Sequence, residues 1–175
     1  LDSASPNPAH YALARLEKAG FVKALVTQNI DRLHRRAGSQ NIAEVHGSIE
    51  TGVCLSCGKE YTHSYMVEAL AEPEGVPRCV CGRVIKPGVI FFGEGLPEEE
   101  YGLAVSWSQR ADLMLVAGSS LVVWPVAGLP GITLRSGGKL VIMTASETPY
   151  DDQATVRDGG RIEETLPRLA DLLGA

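Results

Sequence analysis

No run of basic residues occurs anywhere in the 175 positions, and 16 Lys and Arg face 21 Asp and Glu for a net charge of -5. A nucleic-acid footprint needs clustered positive charge, so direct nucleic-acid binding is excluded as the main role. An unbroken membrane-spanning stretch is lacking too. The most apolar segment, 113–134, is uncharged, but Gly118-Ser119-Ser120, Pro125, Gly128 and Pro130-Gly131 interrupt it, which argues against a spanning helix. There is no internal repeat, no low-complexity tract and no visible secretory leader, so a cytoplasmic location is expected. Cysteine is sparse: four residues in two close pairs, a pattern that suits a metal site better than a disulfide framework. The first residue is Leu1 rather than Met, and no strand signal precedes the first helix, so a fragment or processed chain is expected.

What remains is a globular composition, 45% hydrophobic and 21% charged, long enough for one domain with a small appendage. After a loop at 1–6, Asn7-Pro8 reads as an N-cap followed by proline at the first helical position. Ala9, Ala12, Leu13, Leu16 and Ala19 then form a helical stripe that ends at Gly20. A short buried strand is expected at 21–27, a helix at 31–37 ended by Gly38, and a strand at 42–45. From Ser48 to about Lys86 no long apolar period exists. The alternation resumes with strand signals at 89–92, 113–117 and 140–143 and helix signals at 97–109 and 163–173. The β-α-β order predicts an α/β fold, a parallel sheet with helices on both faces, made of 1–47 and 88–175. Residues 48–87 would form an inserted module.

Cys54, Cys57, Cys79 and Cys81 in that module form C-x2-C…C-x-C. Four thiolates close a tetrahedral zinc shell, and each close pair supplies two corners from one turn. Gly58 and Gly82 follow the pairs, where such turns often need positive φ. All four corners come from protein, so the zinc would be structural, stabilising a segment with little apolar material of its own. Buried thiols or two disulfides are the alternative.

The polar stretch Thr27-Gln28-Asn29-Ile30-Asp31 follows the first strand, and His46-Gly47 follows the second. In open α/β sheets the carboxyl ends of strands splay apart and leave a ligand crevice. Gly118-Ser119-Ser120 follows a third strand, as a phosphate-cradling turn would, although a tight strand-to-loop turn explains it equally. Taken singly, His46 reads as a core histidine, and Asn29 or Asp31 as a helix cap. Their convergence at strand ends favours a site.

These segments occur in the order seen in one family. Thr27-Gln28-Asn29-Ile30-Asp31-Arg32-Leu33-His34, His46-Gly47, the two cysteine pairs, Pro87-Gly88-Val89-Ile90-Phe91-Phe92-Gly93-Glu94, Gly118-Ser119-Ser120-Leu121 and Thr148-Pro149-Tyr150-Asp151 resemble the motifs of sirtuins. Pro6-Asn7-Pro8-Ala9-His10 resembles their P-N-x-A-H helix start. The resemblance runs along essentially the whole chain. It implies a Rossmann-like core with a zinc module, and NAD-dependent transfer of an acyl group from a protein or peptide lysine to ADP-ribose, with nicotinamide released. By motif match His46 would be the base, which suits an imidazole near neutral pH. Gln28 and Asn29 would hold the ribose and an ordered water, and Asp31 would line the nicotinamide pocket. Gly118, Ser119 and Ser120 would contact NAD, and Thr144 would meet the adenosine ribose. Val89, Ile90, Phe91, Phe92, Gly93 and Glu94, with Leu121, Val122 and Val123, would flank an extended acyl-lysine peptide by strand addition.

Two departures from the family pattern stand out. Thr144 occupies a position where sirtuins usually carry Asn, and a hydroxyl lacks the amide's reach, so weaker NAD binding is expected. The amino-terminal G-A-G-x-S turn that cradles the pyrophosphate, and the cofactor loop after it, are absent from these residues. Two other readings therefore stay open: a non-catalytic zinc-bearing interaction module, and mono-ADP-ribosyl transfer from the same activated NAD.

Overall fold

Asn7 starts the first helix as its side chain requires: Oδ1 accepts the His10 amide at 3.1 Å, and α1 runs Pro8–Lys18. A computed structural model describes residues 4–175; the first three residues of the loop expected at 1–6 lie outside the described residues. At the end of α1, Gly20 takes φ +81° and the amides of Phe21 and Val22 bond back to Leu16. Those bonds hold 21 and 22 against the helix end. The strand expected at 21–27 is therefore only β1, Leu25–Thr27, and its first ladder bond is Leu25 N–H to Asn41 O at 2.8 Å. The next helix is short for a similar reason. Arg32 sits in the left-handed region at φ 59°, so α2 begins at Leu33 rather than at 31 and runs Leu33–Ala37, closed by Gly38 at φ 110°. β2, Ile42–Glu44, pairs in parallel with β1.

The chain then leaves the parallel layer. β3, Gly47–Cys54, is flanked by β4, Glu60–Thr62, and after α3, His63–Ala71, by β5, Ile85–Val89; all three strands are antiparallel. The strand expected at 89–92 is thus displaced. Its apolar run begins where β5 ends, and Phe91 and Phe92 lie exposed in a turn at Gly93, φ +89°. The α/β alternation returns with α4, Glu98–Arg110; β6, Leu113–Ala117; α5, Leu129–Arg135; β7, Lys139–Met143; β8, Val156–Asp158; and α6, Ile162–Leu172. The apolar stretch 113–134 resolves into β6, a turn and α5, and among the described residues no helix is long and apolar enough to cross a membrane.

The fold is α/β with parallel sheets and helices, as expected, but the parallel strands fall into two hydrogen-bonded sets, β1-β2 and β6-β7-β8. Helices cover both faces. Leu115 and Ala117 of β6 pack with Met143 against the α1–α6 pair, around Leu16 and Leu166. Met114, one position out of phase, packs toward Ala104 of α4 and Leu129 of α5, with Ala43 and Val45 in the same cluster. Each fully buried leucine or isoleucine here contributes roughly 1.5–3 kcal/mol.

α1 and α2 meet through two imidazoles whose rings lie 4.6 Å apart, His10 and His34. His10 Nδ1 is 2.7 Å from Asn7 Oδ1, whereas His34 Nδ1 is buried without a partner among the described residues. Burial first, and then the neighbouring His10, push His34 down to about 4, against the pull of Asp31. Unfolded, the same imidazole takes a proton near 6.5, so between pH 6.5 and 4 the unfolded chain binds more protons and stability falls as pH falls. Urea titrations should show wild type losing up to about 3 kcal/mol relative to His34→Gln across that window. Parallel pH profiles for the two chains would contradict this account.

Candidate functional site

Parallel strands place their carboxyl ends on one side, and the polar residues follow those ends: Gln28 after β1, His46 after β2, Gly118 after β6 and Thr144 after β7. All four are tied to one another or to a neighbouring strand end. His46 Nδ1 lies 3.1 Å from the Gln28 carbonyl oxygen. A carbonyl only accepts, so Nδ1 carries the proton and Nε2 keeps its lone pair. The Gln28 side chain reaches the other way, Nε2 donating to Ser119 Oγ at 3.4 Å. One glutamine thereby joins the histidine to the glycine-serine turn. Ser119 Oγ also accepts the Leu121 amide at 3.2 Å, which supports Leu121 at φ 54°, an unusual conformation for leucine.

Gly118 contributes conformation rather than a donor. Its φ is +64°, and its amide is committed to the Met143 carbonyl at 2.9 Å. Any phosphate donors in this turn must therefore come from Ser119 and Ser120. Thr144 is buried, 5% exposed, with its amide bonded to Asp158 O at 3.0 Å. Asn29 is exposed, and its amide donates to Thr27 Oγ1 at 3.1 Å. Asp31 does part of what a cap does, because its Oδ1 accepts the Leu33 amide at 2.9 Å. The Thr148-Pro149-Tyr150-Asp151 motif is a self-contained turn. Thr148 Oγ1 donates to Asp151 Oδ1 at 2.6 Å and Arg157 Nε bonds the same carboxylate at 3.0 Å. Thr148 first, with Arg157 adding to it, holds Asp151 below the usual carboxylate range.

The backbone of His46 is fixed from the module side. Ile90 N–H donates to His46 O at 3.0 Å. Gly47, φ +72°, follows at once, and a Cβ there would lie 2.1 Å from the Gly88 carbonyl oxygen. Only glycine lets the two strands close at this point. Of the segments expected to flank a peptide, Val89 is buried at the end of β5 and Ile90 is half-buried beside His46. Phe91, Phe92, Gly93 and Glu94 form an exposed turn, Leu121 is buried, and Val122 and Val123 are exposed. Lys86 was not among the expected site residues. It is 15% exposed, with Nζ 3.0 Å from Glu94 Oε2, and its only signal in the sequence is a lone cation eight positions before a lone acid.

The four cysteine sulfurs lie within 4.8 Å of one another. The pairs Cys54–Cys81 and Cys57–Cys79 are separated by 3.6 and 3.5 Å. Four Zn–S bonds of about 2.3 Å at tetrahedral angles put sulfurs about 3.8 Å apart, whereas a disulfide needs about 2.05 Å. The tetrad fits zinc and excludes disulfides, and with Cys57 and Cys81 exposed it is not a set of core thiols. Gly58 and Gly82 take φ +72° and +81° in the two turns, as expected. The Cys57 and Cys81 amides draw down the thiols of Cys54 and Cys79 respectively, Cys79 to about 6, which favours thiolates at those two corners, whereas the crowding of sulfurs pushes Cys57 up to about 11 and Cys81 up as well.

The model of the Sir2 family matches residues 1–125. The chain belongs to that family. It is 52% identical over 167 residues to the NAD-dependent protein deacetylase of Thermotoga maritima, covering 95% of this chain and 68% of that protein. It is 48% identical over 170 residues to NAD-dependent protein deacetylase 1 of Pyrobaculum aerophilum, covering 96% and 66%. A solved structure of Sir2 with a p53 peptide and NAD+ superposes with a TM-score of 0.94 at 48% identity, over 98% of this chain and 71% of that one. Another, Sir2Tm bound to a propionylated peptide, superposes equally well, with a TM-score of 0.94 over 98% and 72%. This Sir2-family chain therefore spans about two thirds of the length of the curated relatives it matches.

Cys57→Ala removes one exposed corner of the tetrad without opening a core cavity. Bound zinc should fall from one per chain toward none, and the thermal midpoint should drop by ~10 °C, as a loss of about 3–4 kcal/mol would produce. Unchanged zinc content by elemental analysis would remove the tetrad from the account.

Proposed function

We propose that the crevice at the ends of β1, β2, β6 and β7 is the site of an NAD-dependent protein-lysine deacylase. The observation that carries this reading is the hydrogen-bonded chain His46–Gln28–Ser119, which sets a histidine with a free Nε2 beside a serine-lined turn. Membership of the Sir2 family, and relatives named as NAD-dependent deacetylases or deacylases, support it. NAD supplies an electrophilic ribose carbon as nicotinamide departs, and the other substrate is an acyl-lysine side chain in a protein or peptide.

Within that reading each residue has a role its surroundings allow. His46 is the base: Nδ1–H is held by the Gln28 carbonyl, so Nε2 accepts the proton of a hydroxyl presented in the crevice. The Asn29 side chain is exposed at the crevice and can donate and accept, as ribose and water require. Asp31 keeps one carboxylate oxygen beyond its capping bond to border the nicotinamide. Ser119 and Ser120 offer hydroxyls and amides to phosphate, Gly118 gives the turn its shape, and Thr144 faces the adenosine ribose. Residues 89–94 and 121–123 flank the peptide. The reaction is a group transfer, since the acyl group ends on ADP-ribose. Zinc at the tetrad stays remote from it, with all four corners protein-filled. A cytoplasmic location belongs to the same proposal, because a four-thiolate site persists best in a reducing compartment.

The test is formation of deacylated peptide from an acetyl-lysine peptide and NAD, read by mass spectrometry. The wild-type chain should form it only with NAD present, and His46→Ala should lower the rate by about 100-fold or more, the usual contribution of a positioned base. Equal rates in wild type and variant would defeat the proposal.

A further inference from the structure

Lys86 lies on β5, and the mechanism above does not use it. Its side chain is 15% exposed, and its three ammonium protons all find oxygen: the Glu94 carboxylate at 3.0 Å, the Pro87 carbonyl at 3.4 Å and the Val89 carbonyl. The ammonium also stands 4.7 Å from the centre of the Phe91 ring. Glu94 completes the circuit, with Oε2 accepting the Phe91 amide at 2.8 Å while the Glu94 amide returns to Phe91 O at 3.0 Å. The Phe91 amide first, with Lys86 second, holds Glu94 below its usual range, which favours the charged carboxylate.

The turn closed by this circuit is otherwise poorly supported. Phe91 is 52% exposed and Phe92 is 99% exposed, so neither ring anchors it in a core. A cation–π contact and charge-assisted hydrogen bonds take the place of apolar burial. The residue just before the turn, Ile90, donates to the His46 carbonyl, so the turn's position is registered directly against the proposed base.

We propose that Lys86 and Glu94 are positioning residues for acyl-lysine peptide binding: together they lock the turn 91–94 in the shape that presents Phe91 and Phe92 to the peptide beside His46. The inference rests on the deacylase reading for the identity of the ligand. With Glu94 exposed to solvent, the ion pair supplies little net stability and acts chiefly on the shape of the turn. Removing it should therefore weaken peptide binding more than it weakens the fold.

A fluorescently labelled acetyl-lysine peptide titrated against the whole chain tests this without requiring turnover. Lys86→Met and Glu94→Gln should each raise the peptide Kd by about ten-fold. Lys86→Arg, which keeps the charge and the donors, should stay within about three-fold of wild type. Thermal midpoints should differ by no more than a few degrees. In turnover Lys86→Met should raise the peptide KM and leave kcat at saturating peptide within about two-fold. Unchanged Kd in Lys86→Met overturns the clamp while leaving the deacylase reading to its own assay. Equal weakening in Lys86→Arg, or weakening that tracks a fall in thermal midpoint, makes Lys86 a scaffold residue and overturns it as well. Absence of peptide binding by the wild-type chain overturns the clamp as stated, whatever the deacylation assay shows.

Discussion

The antiparallel ladder between β3 and β5 is the constraint on which the rest depends. At one end Cys54 pairs with Ile85, beside the cysteine tetrad; at the other Gly47 pairs with Val89, beside His46. The chain enters the module through β3 and leaves it through β5, so this ladder is its way out of the parallel layer and back. Metal at the cysteine end closes a small sheet with little apolar core beyond Met66, Cys54, Cys79 and Ile85. The close approach of Gly47 to Gly88 then delivers the order of that sheet to the residue that follows β2. On the proposed reading, the metal tetrad and the base His46 thus flank the two ends of one ladder, which is how a zinc can matter to chemistry it does not touch.

Across the crevice from that ladder, the site is joined by polar bonds rather than by a continuous sheet. β1-β2 and β6-β7-β8 are separate hydrogen-bonded sets, and the contact between their ends runs through Gln28 to Ser119. The residues that meet substrate in this account are each oriented by a neighbour: the His46 ring by the Gln28 backbone carbonyl, and the Asn29 and Leu121 amides by the side-chain hydroxyls of Thr27 and Ser119. Such pre-orientation leaves side-chain atoms free for ligands while the main chain stays satisfied.

Much of this was legible in the residues. The stripe from Ala9 to Leu16, the apolar strands at 113–117 and 140–143, and the glycines after each cysteine pair carry their conformations in plain periodicity or turn chemistry, and they occur as expected. The module's strands were not visible. β3 contains Gly47, Thr51 and Gly52 and an irregularity between the two glycines, so its side chains do not alternate cleanly. Phe91 and Phe92 misled for the opposite reason: apolar residues read as a buried strand but stand on the surface, where the Lys86–Glu94 pair supports their turn. β8 is three residues, Val156-Arg157-Asp158, too short and too polar for any period. For the site, His46 and the cysteines were readable as residue types at strand ends and knuckles. The carbonyl that sets the His46 tautomer was not, because any residue at position 28 would offer one. Nor was the two-set sheet, since strand signals carry no information about which edges pair.

Amide hydrogen exchange, read residue by residue before and after chelation of the metal, tests the ladder's role most directly. The account predicts that chelation speeds exchange along 47–54 and 85–89 and also at Ile90, whose amide is held by His46, while the amides of β6 and β7 keep their protection. Exchange at Ile90 that stays slow after the metal is gone would contradict it: His46 would then be held without the module, and the ladder would not be the element that joins them.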